Sequence, residues 1–316
     1  MLNRYRKELL LLAVLVVVCI FLTIRNPQFL SPTNLKNITR QIGMYGILSI
    51  GVAVVVVTGG IDLSVGSMCA LLGVLMAMGL VEKKMPPAVV IPGILAIGGA
   101  LGWLHGILVS RLKLQPFIVT LCGLLLYRGA ARFVASDESK GFGDSAGFEP
   151  LKQLATGSIA GMSTAFVLFL IVTVLVGVLL HKSVLGRHLY AVGKNSEAAR
   201  YAGVNVLRVE TIAYVIAGVC TGVAAILFAF YTNSIAPSSH GSYYELYGVA
   251  AVVLGGFSLR GGEGTVIGVV LGVILLQVLQ NLVNLLGVPS SLNFAVMGFV
   301  ILIGALLEKA FQKKAA

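Results

Sequence analysis

Charge is scarce in this 316-residue chain: only 11% of it is Asp, Glu, Lys or Arg, while 58% is hydrophobic. Soluble domains carry about a quarter charged residues. With a mean hydropathy of +0.97, the chain cannot cover its own surface in water. That excludes an ordinary cytosolic enzyme, a disordered chain and a fibrous one, and leaves an all-α integral membrane protein. Cysteine is scarcer still. Cys19, Cys69, Cys122 and Cys220 each sit in an apolar stretch, with no CxxC or histidine-rich spacing. This excludes a disulfide framework and a metal site and leaves small buried hydrophobes. The four histidines, His105, His181, His188 and His240, are scattered. Walker A, HExxH and GxSxG patterns are missing, so no catalytic residue, cofactor or ATP hydrolysis is expected of this chain. The net charge of +11 reads as cytoplasmic-loop charge rather than nucleic-acid binding.

A spanning helix needs about 20 mostly apolar residues. Ten segments qualify: 8–24, 43–58, 64–81, 88–110, 116–134, 160–181, 209–231, 244–257, 265–286 and 292–308. No soluble domain fits between them, so residues 1–316 are expected to form a single transmembrane domain. Segments 43–58 and 244–257 are short and end in glycine pairs, the pattern of broken or re-entrant spans. Ile24-Arg25-Asn26-Pro27 offers no small-residue cleavage site, so the first run is expected to be a permanent helix. With the N-terminus inside, 14 of the 23 Lys and Arg fall on inner segments and 9 on outer ones, which places both termini in the cytoplasm.

Glycine is abundant, with 38 residues. Gly98, Gly102 and Gly106 recur every four residues, as do Gly264, Gly268 and Gly272, while Gly218 pairs with Gly222. Such faces let another backbone approach closely, within one subunit or between subunits. An internal echo aligns Val56-Val57-Thr58-Gly59-Gly60-Ile61-Asp62-Leu63 with Val252-Val253-Leu254-Gly255-Gly256-Phe257-Ser258-Leu259. Paired interrupted segments point to a transport pathway.

Three features carry functional expectations. Asp62 is the only acid between Glu8 and Glu82. Either it or Ser64 caps the following helix, or it contacts substrate or gates the path. Gln277, Asn281 and Asn284 share one helical face, with Gln280 beside it and Asn293 on the last helix a further candidate. These amides either bond to neighbouring helices or line a wet path for a hydroxyl-rich solute. Between 182 and 208, Asn195-Ser196-Glu197-Ala198-Ala199-Arg200-Tyr201-Ala202-Gly203 reads as a short helix with a start signal and a glycine stop. It is either a connector on lipid headgroups or a docking helix, with Ala198, Ala199 and Ala202 as a smooth face for a partner.

Several motifs taken in order resemble the ribose-type ABC sugar permeases, over nearly the whole chain. They are Gly59-Gly60-Ile61-Asp62-Leu63-Ser64-Val65-Gly66-Ser67, Gln115-Pro116-Phe117-Ile118-Val119-Thr120-Leu121, Gly186-Arg187-His188-Leu189-Tyr190-Ala191-Val192-Gly193-Lys194-Asn195 and Val253-Leu254-Gly255-Gly256. Where that family has a short Gly-Arg-Pro stretch, this chain has Ser136 to Asp144. The resemblance implies a monosaccharide permease of the bacterial inner membrane, paired with a second copy or a paralogue. It further implies a separate ATPase that binds ATP and a periplasmic sugar-binding protein. In this reading Glu197, Ala198, Ala199, Arg200 and Gly203 couple to the ATPase, while Asp62, Ser64, Gln277, Asn281 and Asn284 line or gate the path. A branched-chain amino-acid permease and an ion-driven secondary transporter are the rival readings.

Overall fold

The computed structural model describes residues 6–143, 148–159 and 161–289, together with 292, 295–296, 298–299 and 302. The expected last span 292–308, Asn293 and Asp144 therefore lie wholly or largely outside the described residues. Among the described residues up to 289 there are twelve α-helices: α1 (Arg6–Arg25), α2 (Pro32–Val57), α3 (Val65–Ala77, prolonged by a π turn to Glu82), α4 (Pro87–Ser110), α5 (Pro116–Val134), α6 (Glu149–Thr156), α7 (Thr164–Lys182), α8 (Val184–Lys194), α9 (Ser196–Tyr201), α10 (Val206–Thr232), α11 (Tyr244–Leu254) and α12 (Val266–Leu285). Eight of them are long and apolar enough to cross a membrane. Two-residue strands form two small ladders: β1 (Lys140–Gly141) pairs with β4 (Ser234–Ile235), and β2 (Ser158–Ile159) with β3 (Met162–Ser163).

Segment 43–58 is not a short span, contrary to expectation. It is the second half of α2, which runs for 26 residues through the centre of the bundle. Ser31 caps that helix by accepting from the Asn34 amide, with Pro32 at its first position, both standard start signals. In its first turns Asn34, Asn37 and Gln41 line a cavity rather than face lipid. Segment 244–257 is broken, one of the two alternatives expected of it. α11 has only 11 residues, and the non-helical chain before it descends along α3, with Ile235 against Gly73 and Gly241 against Gly66. Irregular backbone at such depth needs internal hydrogen-bond partners. The Arg128 guanidinium supplies them, donating to the carbonyls of Pro237 (2.9 Å) and His240 (2.6 Å).

α2 and α11 end alike. Gly60 donates to the Val55 carbonyl and Phe257 to that of Val252, and the residue at the turn is Gly59 (φ 84°) or Gly256 (φ 83°). This is the glycine-stopped helix end in which a left-handed residue closes a six-to-one bond. The structural equivalence pairs Gly59 with Gly256, one residue further along than the sequence echo.

The glycine faces pack within the chain. Gly98 of α4 lies against Gly218 of α10, Gly102 against Tyr214, and Gly106 against Thr211. Likewise Gly268 lies against Gly255 and Gly272 against Ala251, joining α12 to α11. α1 and α12 run in the same direction, tied near their starts by the Thr265 hydroxyl donating to Glu8 (2.9 Å) and near their ends by Asn26 donating to the Leu285 carbonyl (3.0 Å). The start of α1, the loop 111–115, α8 and α9 thus share one end of the bundle, and α6 with the two ladders lies at the other.

Candidate functional site

Asp62 follows the glycine stop of α2 and is buried. One carboxylate oxygen accepts from the Ser64 amide (2.9 Å) and from the Ser64 hydroxyl (2.7 Å). Ser64 is the N-cap residue of α3, yet its side chain makes no cap bond. Asp62 takes its proton instead. The Ser64 oxygen lies 3.5 Å from His105 Nδ1, and His105 Nε2 lies 2.8 Å from the Tyr127 hydroxyl. Because the one Ser64 proton points at Asp62, the consistent direction has Tyr127 donating to His105 and His105 donating weakly to Ser64. Thr120 donates to the Ile61 carbonyl (3.1 Å) and fixes the same turn to α5. The chain of groups Asp62, Ser64, His105, Tyr127 is closed within α3, α4 and α5. It is not a Ser-His-Asp triad, since the serine hydroxyl donates to the carboxylate and not to the imidazole.

The amides of α12 do not reach this cluster. They line a cavity of about 400 Å³ at the other end of α2, together with Asn34, Asn37, Gln41, Tyr45 and Tyr231. The rise along α2 from Gln41 to Val57 alone is about 24 Å at 1.5 Å per residue. Asn34 and Asn281 exchange hydrogen bonds across the cavity mouth, at 3.2 Å and 2.8 Å. Gln280 lies 3.5 Å from the Tyr247 hydroxyl, and Gln277 is buried. Tyr45 carries the cavity wall inward. Its ring stands edge-on to Phe228 (5.0 Å between centroids) and Tyr244 (5.1 Å), and is tilted against Tyr247 (5.2 Å). Among the described residues lining the cavity, none is charged. Asn34, Asn37 and Gln41 follow helical spacing on one face of α2, a signal hidden by starting that helix at 43. The lone His105 left no comparable trace in the sequence.

At the end where α1 begins, α8 and α9 form a pair of short helices. Asn195 caps α9 by accepting from the Ala198 amide (2.9 Å), and Gly203 terminates it at φ 84°. Glu197, Ala198, Arg200 and Ala202 are exposed, and Tyr201 is 86% exposed. Ala199 instead turns into the chain's own core. A second cavity, of about 660 Å³, separates Glu197 and Arg200 from Arg111, Lys113 and Gln115 of the α4–α5 loop. Tyr190 of α8 donates to the Gly264 carbonyl (2.8 Å), and burial pushes its phenol up to about 12. Among the described residues, no group of three or more His, Cys, Asp or Glu side chains could hold a metal ion.

A bundle of long apolar helices, with one half-length helix and a polar cavity inside it, defines a multi-pass membrane transport protein. The match to known sequences sets the class. Residues 34–305 match the family model described as the branched-chain amino acid transport system / permease component, and the chain belongs to that permease family. It is 38% identical to the ribose import permease protein RbsC of Bacillus subtilis, over 93% of this chain and 90% of that protein. Against RbsC of Escherichia coli it is 35% identical, over 96% and 93% respectively. It is 34% identical to the fructose import permease protein FruF of Bifidobacterium longum, over 84% and 74%. No solved structure matches the chain.

Proposed function

We propose that this chain is the membrane permease subunit of an ATP-driven importer that passes a neutral monosaccharide into the cytoplasm by alternating access. The observation that carries this reading is the cavity between α2 and α12, walled by seven primary amides and two tyrosines and by no charged side chain among the described residues. Amides offer donors and acceptors together, which suits hydroxyl groups. A branched-chain amino acid would bring an ammonium and a carboxylate into this space, and an unpaired charge away from water costs several kcal/mol. The names of the sugar-importing relatives favour the same substrate class over the amino acid in the family's description.

ATP hydrolysis belongs in this reading to a separate ATPase seated on the exposed side of α9, where Glu197, Ala198 and Arg200 face outward. Gly203 ends that helix and keeps it short. A periplasmic sugar-binding protein delivers substrate at the opposite end, and a second permease copy or paralogue completes the assembly in the inner membrane. The start of α1 shares an end with α9, so seating an ATPase there puts that end of α1 on the cytoplasmic side; labelling of a cysteine placed at position 194 from outside would reverse this. Asp62 and Ser64 flank the path as a fastening of the α2–α3 turn.

The test is uptake into proteoliposomes holding the permease with its ATPase and binding protein, offered ribose, fructose or leucine. Sugar uptake that requires both ATP and the binding protein is expected. Leucine uptake without sugar uptake, or sugar uptake driven by an ion gradient without ATP, would overturn the proposal.

A further inference from the structure

α9 touches the spans little, with Ala199 as its one buried side chain. α8 touches them at a particular place. Gly193, in its last turn, lies directly against the Val57 carbonyl and the Gly262 amide, leaving no room for a Cβ. The Gly262 amide in turn donates to that same Val57 carbonyl (2.8 Å). Gly261 sits against Gly59 and Gly193. Around this core, Tyr190 holds the Gly264 carbonyl (2.8 Å) and Lys194 pairs with Glu263 (3.0 Å). Three stretches of main chain therefore meet with no side chain between them: the end of α8, the break after α2 and the break after α11.

We propose that this meeting point is the joint through which α8 moves the pathway, with Gly193 and Tyr190 as its positioning residues. The inference rests on the reading that the ATPase seats on α9. Backbone held against backbone has no flexible side chain to absorb a displacement, and close-packed interiors pass strain on. A shift of α8 then reaches two helices at once. Through Val57 and Gly59 it reaches the turn that carries Asp62 and starts α3. Through Gly262 and Gly264 it reaches the start of α12, a rod of 20 residues whose far half carries Gln277, Asn281 and Asn284. One input would thereby reset both ends of the path together, which alternating access requires.

The experiment uses the full complex in proteoliposomes and reads four quantities: ATPase association, stimulated hydrolysis, uptake, and uptake per ATP. Tyr190→Phe removes one hydrogen bond and keeps the ring. It is expected to lower uptake per ATP about fivefold, the effect of one bond of ordinary net strength, while association and hydrolysis stay at wild-type levels. Gly193→Ala is expected to lower uptake per ATP further; should it fail to insert, Tyr190→Phe still decides. In a third variant, Lys194→Cys with Glu263→Cys in a background whose native cysteines are replaced, a short thiol-reactive linker bridges two groups that the proposal says travel together. Bridging is expected to leave uptake unchanged. Uptake abolished by the bridge, or wild-type uptake per ATP in both Tyr190→Phe and Gly193→Ala, overturns the joint. Ala198→Arg and Tyr201→Ala address the underlying reading separately. Undiminished ATPase association in both would show that the ATPase seats elsewhere, and the joint would fall with that reading.

Discussion

The two polar sites served by α2 handle their hydrogen-bonding capacity differently. Near its start, Asn34 and Asn281 satisfy each other, while Asn37, Gln41 and Asn284 face the same open cavity of about 400 Å³. Just past its end, Asp62 and its partners are sealed, each group spending its proton on the next. A site that exchanges partners during transport needs spare donors and acceptors close at hand; a site that holds a turn needs them consumed. The first arrangement suits a passing solute and the second suits a fastening, although both were candidates for the path when judged by residue type alone.

The largest expected effect separates these roles. Asp62→Leu leaves the Ser64 amide and hydroxyl without their acceptor in a dry interior, at about 1–3 kcal/mol for each unsatisfied group. The thermal midpoint of the detergent-solubilised permease should fall clearly and uptake should fall with it. Asp62→Asn keeps an acceptor oxygen and should change the midpoint little. A wild-type midpoint for Asp62→Leu would break the contrast.

The cavity should show the reverse pattern. Asn34→Leu and Asn281→Leu should cut sugar uptake severely while stability changes modestly. In a double-mutant cycle on stability their coupling should be small, about 0.6 kcal/mol as for other polar pairs between membrane helices. If stability and uptake decline in proportion, the amide pair is packing rather than path.

The smallest effect is expected at an exposed pair that serves as a control. Arg132 donates to Asp137 at 2.6 Å and 2.9 Å, and this hydrogen bonding holds the Asp137 carboxyl below its ordinary value. A lowered carboxyl contributes stability above its unfolded value, and that contribution is lost as pH falls through the folded one. Both side chains are more than half exposed, so solvent screens the pair. Asp137→Asn should leave the thermal midpoint at neutral pH unchanged, and any pH dependence it removes should appear only in the acid range. A drop comparable to that of Asp62→Leu would mean that burial does not govern the ranking.

The spans were legible because composition decides them, and α9 was legible because Asn195 and Gly203 are local start and stop signals. The beginning of α2 was not. Asn34, Lys36, Asn37, Arg40 and Gln41 read as loop when lipid is assumed on all sides; in the fold Asn34, Asn37 and Gln41 line the cavity, while Arg40 reaches the Thr156 carbonyl and the Tyr231 ring. α8 escaped notice because it too lies in the loop between two firm spans. Ala199 shows a further limit: a run of small residues reveals closeness to something, but the neighbour proves to be the chain itself. The partnership of Asp62 with His105 and Tyr127 depends on which face of α4 and α5 turns inward, and spacing along either helix does not settle that.

The reciprocal pair of Asn34 and Asn281 also has a consequence in time. Its members are 247 residues apart. At a synthesis rate of about 5–20 residues per second, Asn34 emerges roughly 12–50 s before its partner. The other cavity amides that face α2 come from α12 as well, and the helices that surround α2, namely α7, α10, α11 and α12, all follow it in the chain. α2 must therefore wait in the membrane with its polar stripe uncovered, and the insertion machinery or an interfacial position has to shelter it until the last third of the chain arrives. A ribosome stalled before residue 265 should hold a nascent permease in which Asn34 is still open to water-soluble reagents.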